Sequence, residues 1–148
     1  MTRNATQPSP RISVVVPHYN DLERLDTCLA ALVTQTLPRE DYEIIVADNN
    51  SPCGLAEVEK AVAGRARVVT AMEPGAGPAR NAGAEAAQGQ ILAFTDSDCV
   101  PEPQWLEKGV AALGRDGDFI GGGMKVLVPG DRPMSGAEAF ETVFAFDN

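Results

Sequence analysis

An α/β fold with a mostly parallel sheet is predicted by three features of the sequence. Short β-branched runs alternate with segments of helical apolar period, the spacing suits right-handed crossovers, and each run stops at a cluster of polar residues. Ile12 to Val16 is such a run, closed by Pro17, as a buried parallel strand would be. Leu22, Leu25, Leu29 and Leu32 then recur at helical spacing, with Asn20 placed as N-cap and Glu23 completing a variant capping box.

The alternation continues. Tyr42 to Ala47 reads as a second strand ending in Asp48, and Gly54 to Val62 as a weaker helical pattern broken by Gly64. Arg67 to Ala71 reads as a third strand, Gly77 to Ala87 as an alanine-rich helix, and Ile91 to Thr95 as a fourth strand stopping at Asp96. Pro103 to Leu113 is a further helix with Trp105, Leu106, Val110 and Leu113 on one side. Past Phe119 the pattern changes: three glycines precede the run Met124 to Val128, and Ser135 with Glu138 makes a capping box for a last amphipathic segment. The organisation expected is a flexible tail at 1–10, a ligand-binding domain at 11–128, and a linker with an aromatic helix at 129–148. Phe140, Phe144 and Phe146 make that helix rich in aromatics for a chain with only 5% of them, so something should pack on it. The domain itself, a continuation of the chain, or a second copy forming a homodimer would each serve.

Bulk properties narrow the function. With 148 residues, 44% hydrophobic and 22% charged, the chain can fold around one core without staples. A net charge of −9 opposes nucleic acid and anionic membrane surfaces, so no nucleic-acid partner is expected. An anionic ligand would need local help from a metal, a helix N-terminus or a single cation such as Arg80. Cys28, Cys53 and Cys99 are odd in number and lack paired spacing, which reads as free thiols in a reducing compartment. The polar N-terminus has no signal-peptide core and no run approaches a membrane span, so the expected location is cytoplasmic, with an acceptor at the inner face of the membrane left open.

In open α/β sheets, ligands bind outside the carboxyl ends of the strands. There the sequence gathers Pro17, His18, Tyr19 and Asn20, then Asp48, Asn49 and Asn50, then Asp96, Ser97 and Asp98. The loop after the third strand, Glu73 to Gly77, opens a helix with Arg80 and Asn81 expected in its first turn, where a phosphate would find free N–H groups and a guanidinium; the same glycines would also serve a plain turn. Asp96 and Asp98, two apart in an extended segment, would point the same way about 6–7 Å apart. Their repulsion, about 2–3 kcal/mol at an effective dielectric near 20, would turn into attraction around a hard cation such as Mg²⁺ or Mn²⁺. Spacing alone equally suits a solvated acidic turn.

Four motifs in order carry a family resemblance: Ser13 to Pro17 with Tyr19 and Asn20; Ile44 to Asp48 with Ser51; Gly77 to Gly83 reading GPARNAG; and Gly89 to Pro101 reading GQILAFTDSDCVP. Together they resemble the inverting, family 2 glycosyltransferases. The resemblance implies a GT-A, Rossmann-like three-layer sandwich with helices on both faces of the sheet, and a nucleotide-sugar donor, UDP- or GDP-linked. It implies that Pro17, His18 and Tyr19 lie along base and ribose, that Asp48 accepts a hydrogen bond from the base, and that Arg80 sits near base or diphosphate. It also implies that Asp96 binds ribose or sugar hydroxyls and, with Ser97 and Asp98, forms the DxD motif, Asp98 above all ligating the metal. Asn20 and Asn81 are expected to be structural. Two departures stand out: Asp48-Asn49-Asn50-Ser51 replaces two acidic residues before a glycine, and His18, expected to be partly exposed, replaces a small residue.

By the same resemblance an acceptor hydroxyl on a sugar, lipid-linked or polysaccharide substrate attacks the anomeric carbon in line while the nucleoside diphosphate leaves. The general base is expected beyond residue 148, so the catalytic residue is unassigned and the chain reads as the donor half of a longer enzyme. Two rivals remain: a nucleotide-binding or interaction domain without turnover, and a nucleotidyltransferase, which would want a glycine- and arginine-rich loop where Pro17-His18-Tyr19-Asn20 stands. A dinucleotide-binding module is disfavoured because Gly75 and Gly77 follow the third strand and lack a third glycine.

Overall fold

The computed structural model describes residues 9–125 together with 127, 130, 133 and 135. Its contacts divide the chain into two units, Met1–Lys108 and Gly109–Asn148. The first unit holds a four-stranded sheet made of β1 (Ile12–His18), β2 (Tyr42–Asp48), β3 (Arg67–Thr70) and β4 (Ile91–Phe94) in the order β3-β2-β1-β4. All three pairings are parallel, with Val15 opposite both Ile45 and Phe94 and Asp48 opposite both His18 and Thr70. The crossovers are α1 (Leu22–Val33), α2 (Leu55–Val62) and α3 (Ala76–Ala86). α3 packs on β1, β2 and β3, while α1 packs beside α2. With right-handed crossovers this order places α1 and α2 on one face and α3 on the other, the three-layer arrangement expected.

Burial follows position in the sheet. All seven residues of β1 are buried and six of the seven in β2, because both faces of the central strands are covered. On β3 and β4 no residue is buried, as befits edges. Val14, Val16, Leu25, Leu29, Leu32, Ile44, Val46, Val58 and Val62 form the core. Two glycines allow the backbone to close on β1: a Cβ at Gly83 would lie 2.3 Å from Val15 Cγ1, and one at Gly89 would lie 2.6 Å from the Ile12 carbonyl carbon. At the amino ends of the strands, buried Ser13 donates to Glu43 Oε1 at 2.6 Å and accepts from Gly89 N at 2.8 Å, while Arg67 pairs with Glu43 Oε2 at 3.0 Å.

The predicted elements all form within the first unit, with shifted ends. β1 continues through Pro17 to His18 because β2 pairs with it that far. The helix cap is Asp21, whose Oδ1 accepts from Arg24 N, and not Asn20; Asn20 instead takes a left-handed φ of 49°, which asparagine tolerates better than most residues. α3 starts at Ala76, so Arg80 lies in its second turn and not its first. The last helix of the first unit, α4 (Trp105–Asp116), begins two residues later than expected and runs on into the second unit. Buried Gln35 fastens its start, donating to Glu102 O at 2.8 Å and accepting from Leu106 N at 3.0 Å. In the second unit, the described residues of the expected strand Met124 to Val128 carry no strand pairing. The aromatic segment after Ser135 lies outside the described residues, as does most of the tail at 1–10.

Candidate functional site

The strand order turns back between β1 and β4. α1 leads from β1 towards β2, whereas α3 brings the chain across to β4 on the other side of β1, which makes the carboxyl ends of β1 and β4 the point where open α/β sheets bind ligands. The residues expected to carry chemistry stand around that point. Tyr19 and Asn20 leave β1 on one side, and Asp96, Ser97 and Asp98 leave β4 on the other. β1 runs on past its pairing with Phe94, and Thr95 N donates to Val15 O at 3.2 Å, which sets the start of the acidic turn below the tip of β1.

Next to this point lies a buried polar network. His18 is 2% exposed, not the partly exposed residue expected, because β2 and the turn into α1 enclose it. Its Nδ1 lies 2.9 Å from Asp48 Oδ1, and its Nε2 accepts from Asp21 N at 3.1 Å. Asp48 also accepts from Ser51 Oγ at 2.5 Å and from Ser51 N at 3.0 Å, while Asn20 N donates to Ser51 Oγ at 2.8 Å. The Asp48 carboxylate, expected to meet a base, is therefore spent inside the protein. Pro17 and His18 are buried as well, so of the β1 trio only Tyr19, 60% exposed, offers its side chain to a ligand.

Asn49, named in the sequence only as part of the polar cluster after the second strand, joins two loops. Its Nδ2 donates to Ala71 O at 2.9 Å and Glu73 O at 2.6 Å, and its Oδ1 accepts from Gly75 N at 2.8 Å. That fixes the glycine loop at the start of α3, where Gly75 adopts φ 122° and no side chain caps the helix. An Asn-Asn pair directly after a strand is a turn signal, and the side-chain bonding of asparagine to nearby backbone is the clue that could have found it.

The DSD segment is a turn, not the extended piece assumed above: Cys99 N donates to Asp96 O at 3.0 Å, closing four residues with Ser97 and Asp98 at the centre. Asp96 and Asp98 are exposed and Ser97 half-buried. Arg80 reaches from α3 to Asp96 Oδ1 at 2.6 Å, and the Cys99 thiol makes a long contact of 3.8 Å with Asp98 Oδ1. The turn's negative field reaches both nearby thiols: burial first, then Cys99, Asp98 and Asp96, pushes Cys28 up to about 12, and burial followed by Asp98 raises Cys99. The buried Cys28 thiol contacts Asp96 O at 3.6 Å and so braces the turn from below. Two exposed carboxylates in a negative field suit a hard divalent cation that takes its other ligands from a substrate's phosphates. Among the described residues no group of three or more His, Cys, Asp or Glu could enclose a metal without such help.

Comparison with known proteins identifies the family and the fold. Residues 13–141 match the sequence model of the family described as Glycosyl transferase family 2. The chain is 36% identical over 148 residues to glycosyltransferase AglE of Haloferax volcanii, covering 97% of this chain and 47% of that protein. Its fold is similar to that of the mannosyltransferase PcManGT from Pyrobaculum calidifontis, solved in complex with GDP-Man and Mn²⁺, with TM-score 0.63, 28% identity, and coverage of 73% of this chain and 33% of that one. It is also similar to S. aureus TarS 1-349 in complex with UDP, with TM-score 0.62, 25% identity, and coverage of 70% and 32%. The chain thus spans less than half the length of each of these proteins. With the family match over most of its residues and the parallel sheet described above, the chain belongs to family 2 of the glycosyltransferases and carries its GT-A fold.

Proposed function

We propose that residues 11–128 bind a nucleoside-diphosphate sugar, UDP- or GDP-linked, at the carboxyl ends of β1 and β4, as the donor part of an inverting hexosyltransferase. The observation that carries this reading is the pair of exposed aspartates in the turn Asp96-Ser97-Asp98, which follows β4 beside β1 at the reversal of strand order. Tyr19 offers an aromatic face for the base, and the uncapped start of α3 offers N–H groups for a phosphate. Mg²⁺ or Mn²⁺ held by Asp98, with Asp96, would supply charge neutralisation at the departing diphosphate. Arg80, freed from Asp96 when a cation takes its place, would turn its guanidinium to the diphosphate.

The acceptor, a hydroxyl on a sugar, a lipid-linked sugar or a polysaccharide, would attack the anomeric carbon from the face opposite the leaving group. Free thiols at Cys28, Cys53 and Cys99 support a reducing, cytoplasmic setting. Calorimetry with UDP and with GDP, in Mn²⁺ and then in chelator, tests the reading. Metal-dependent binding of one of them is expected, and binding of neither, or binding indifferent to chelator, overturns it.

A further inference from the structure

We propose that His18 is a positioning residue that works in one protonation state: as a neutral imidazole carrying its proton on Nδ1 it clamps the turn presenting Tyr19, and a proton added at Nε2 opens that turn and weakens ligand binding beside it. The consequence for ligand binding rests on the donor-binding reading above; the clamp itself does not.

Two partners of fixed character select the tautomer. A backbone amide only donates, so Asp21 N at 3.1 Å requires a lone pair on Nε2. A carboxylate only accepts, so Asp48 Oδ1 at 2.9 Å requires the proton on Nδ1. The His18 side chain is 0% exposed and that of Asp48 3%, so water is not at hand to replace either bond. Asp21 N returning to the ring of His18 stands in for the backbone bond of a turn, and the intervening Asn20 is held at a left-handed φ of 49° by its own bond to Ser51. Tyr19 and Asn20 thus project from a loop tethered at both ends to one buried network.

Protonation at Nε2 would set two donors against each other and leave Asp21 N–H without its acceptor. The titratable groups on the neighbouring elements are few. Asp48 from β2 meets Nδ1 of the ring, and Asp21 at the head of α1 has its carboxylate engaged by Arg24. From α3, Arg80 is engaged with Asp96, and β4 has no titratable residue. A proton on Nε2 would cost the bond from Asp21 N that shapes the turn. A side-chain amide at this position would carry a donor and an acceptor without that sensitivity.

The first measurement is made on the free protein: ¹⁵N chemical shifts of the His18 ring at about pH 8, well above the ordinary imidazole range. Neutral imidazole protonated on Nδ1 is expected; protonation on Nε2 or an imidazolium at that pH overturns the proposal. On acidification, exchange of the Asp21 amide should lose protection as the ring titrates, and protection retained through that titration also overturns it. The second measurement compares UDP and GDP affinity, with Mn²⁺, in the wild type and His18→Gln from about pH 8 to about pH 5.5. Titration of phosphates and carboxylates is common to both proteins, so the wild type should lose about three- to tenfold more affinity, the worth of one buried hydrogen bond. Equal profiles overturn the proposal. If neither nucleotide binds at any pH, the donor-binding reading fails, and the ring shifts and Asp21 exchange decide the clamp alone. They do the same if His18→Gln does not fold.

Discussion

At the ends of β1 and β2, His18, Asp48 and Ser51 are buried and bonded to one another, whereas at the end of β4 Asp96 and Asp98 stand exposed with one ion pair and one thiol contact. Both clusters sit on the carboxyl edge of one parallel sheet and both are acidic at heart. What separates them is satisfaction: among the described residues no buried side-chain polar atom lacks a partner, so the first cluster is closed, while the second keeps carboxylate oxygens turned to solvent. A closed network holds shape and an open one holds ligands. The closed one places Tyr19; the open one is where the proposed function puts a cation and a diphosphate.

Substitutions can break the contrast. Asp48→Ala leaves His18 Nδ1 and both Ser51 donors without an acceptor, and should cost about 3–5 kcal/mol in urea denaturation. Asp98→Ala should leave that denaturation curve nearly unchanged yet lower UDP or GDP affinity in Mn²⁺ by at least the 10- to 100-fold typical even of outer-shell metal partners, about 1.4–2.7 kcal/mol, read by calorimetry. If the two variants exchanged phenotypes, the division into scaffold and site would be wrong. Gly89→Ala, at the amino end of the sheet, sharpens the point: its Cβ would meet the Ile12 backbone at 2.6 Å, so a loss of about 1–3 kcal/mol in stability is expected with nucleotide affinity per folded molecule unchanged.

The smallest effect is expected with pH. Burial raises Glu43, but bonds from Ser13, Gln88 N and Arg67 outweigh it and hold the carboxyl below its ordinary value. A depressed folded-state value means stability that is present above the unfolded-state value and is lost as pH falls through the folded one. Wild type should therefore lose stability below about pH 4.5 more steeply than Glu43→Gln, and parallel curves from acid denaturation would remove Glu43 from the account.

The strands and helices of the first unit were legible because β-branched runs and leucine spacing depend on local pattern, and pairing then moved their ends by one or two residues: His18 and Asp48 joined their strands, and Thr95 left its own. The place of the open cluster was legible too, since Asp96 and Asp98 follow β4 as its pattern predicted, and both are exposed. Their conformation was not, because the turn is closed by a backbone bond from Cys99 and braced by Cys28 from a helix sixty-odd residues earlier. The closed cluster misled for a related reason. A strand-end Asp and His look like ligand contacts in sequence, and only the parallel register of β1 with β2, which sets His18 opposite Asp48, reveals that each is the other's partner. Asn49 and Ser51 were named without a role because what they do is bond to backbone and to Asp48, with no chemistry of their own to announce.

The central claim, that the donor's diphosphate meets its cation at the turn after β4, is tested most directly by Mn²⁺-induced broadening of backbone amide signals with UDP or GDP present. The account predicts selective loss of signals from Tyr19, Gly75 to Gly77 and Asp96 to Cys99, with Arg11, Gln88 and Gln90 at the opposite edge untouched. Broadening centred on that opposite edge, or none at saturating nucleotide, would contradict it.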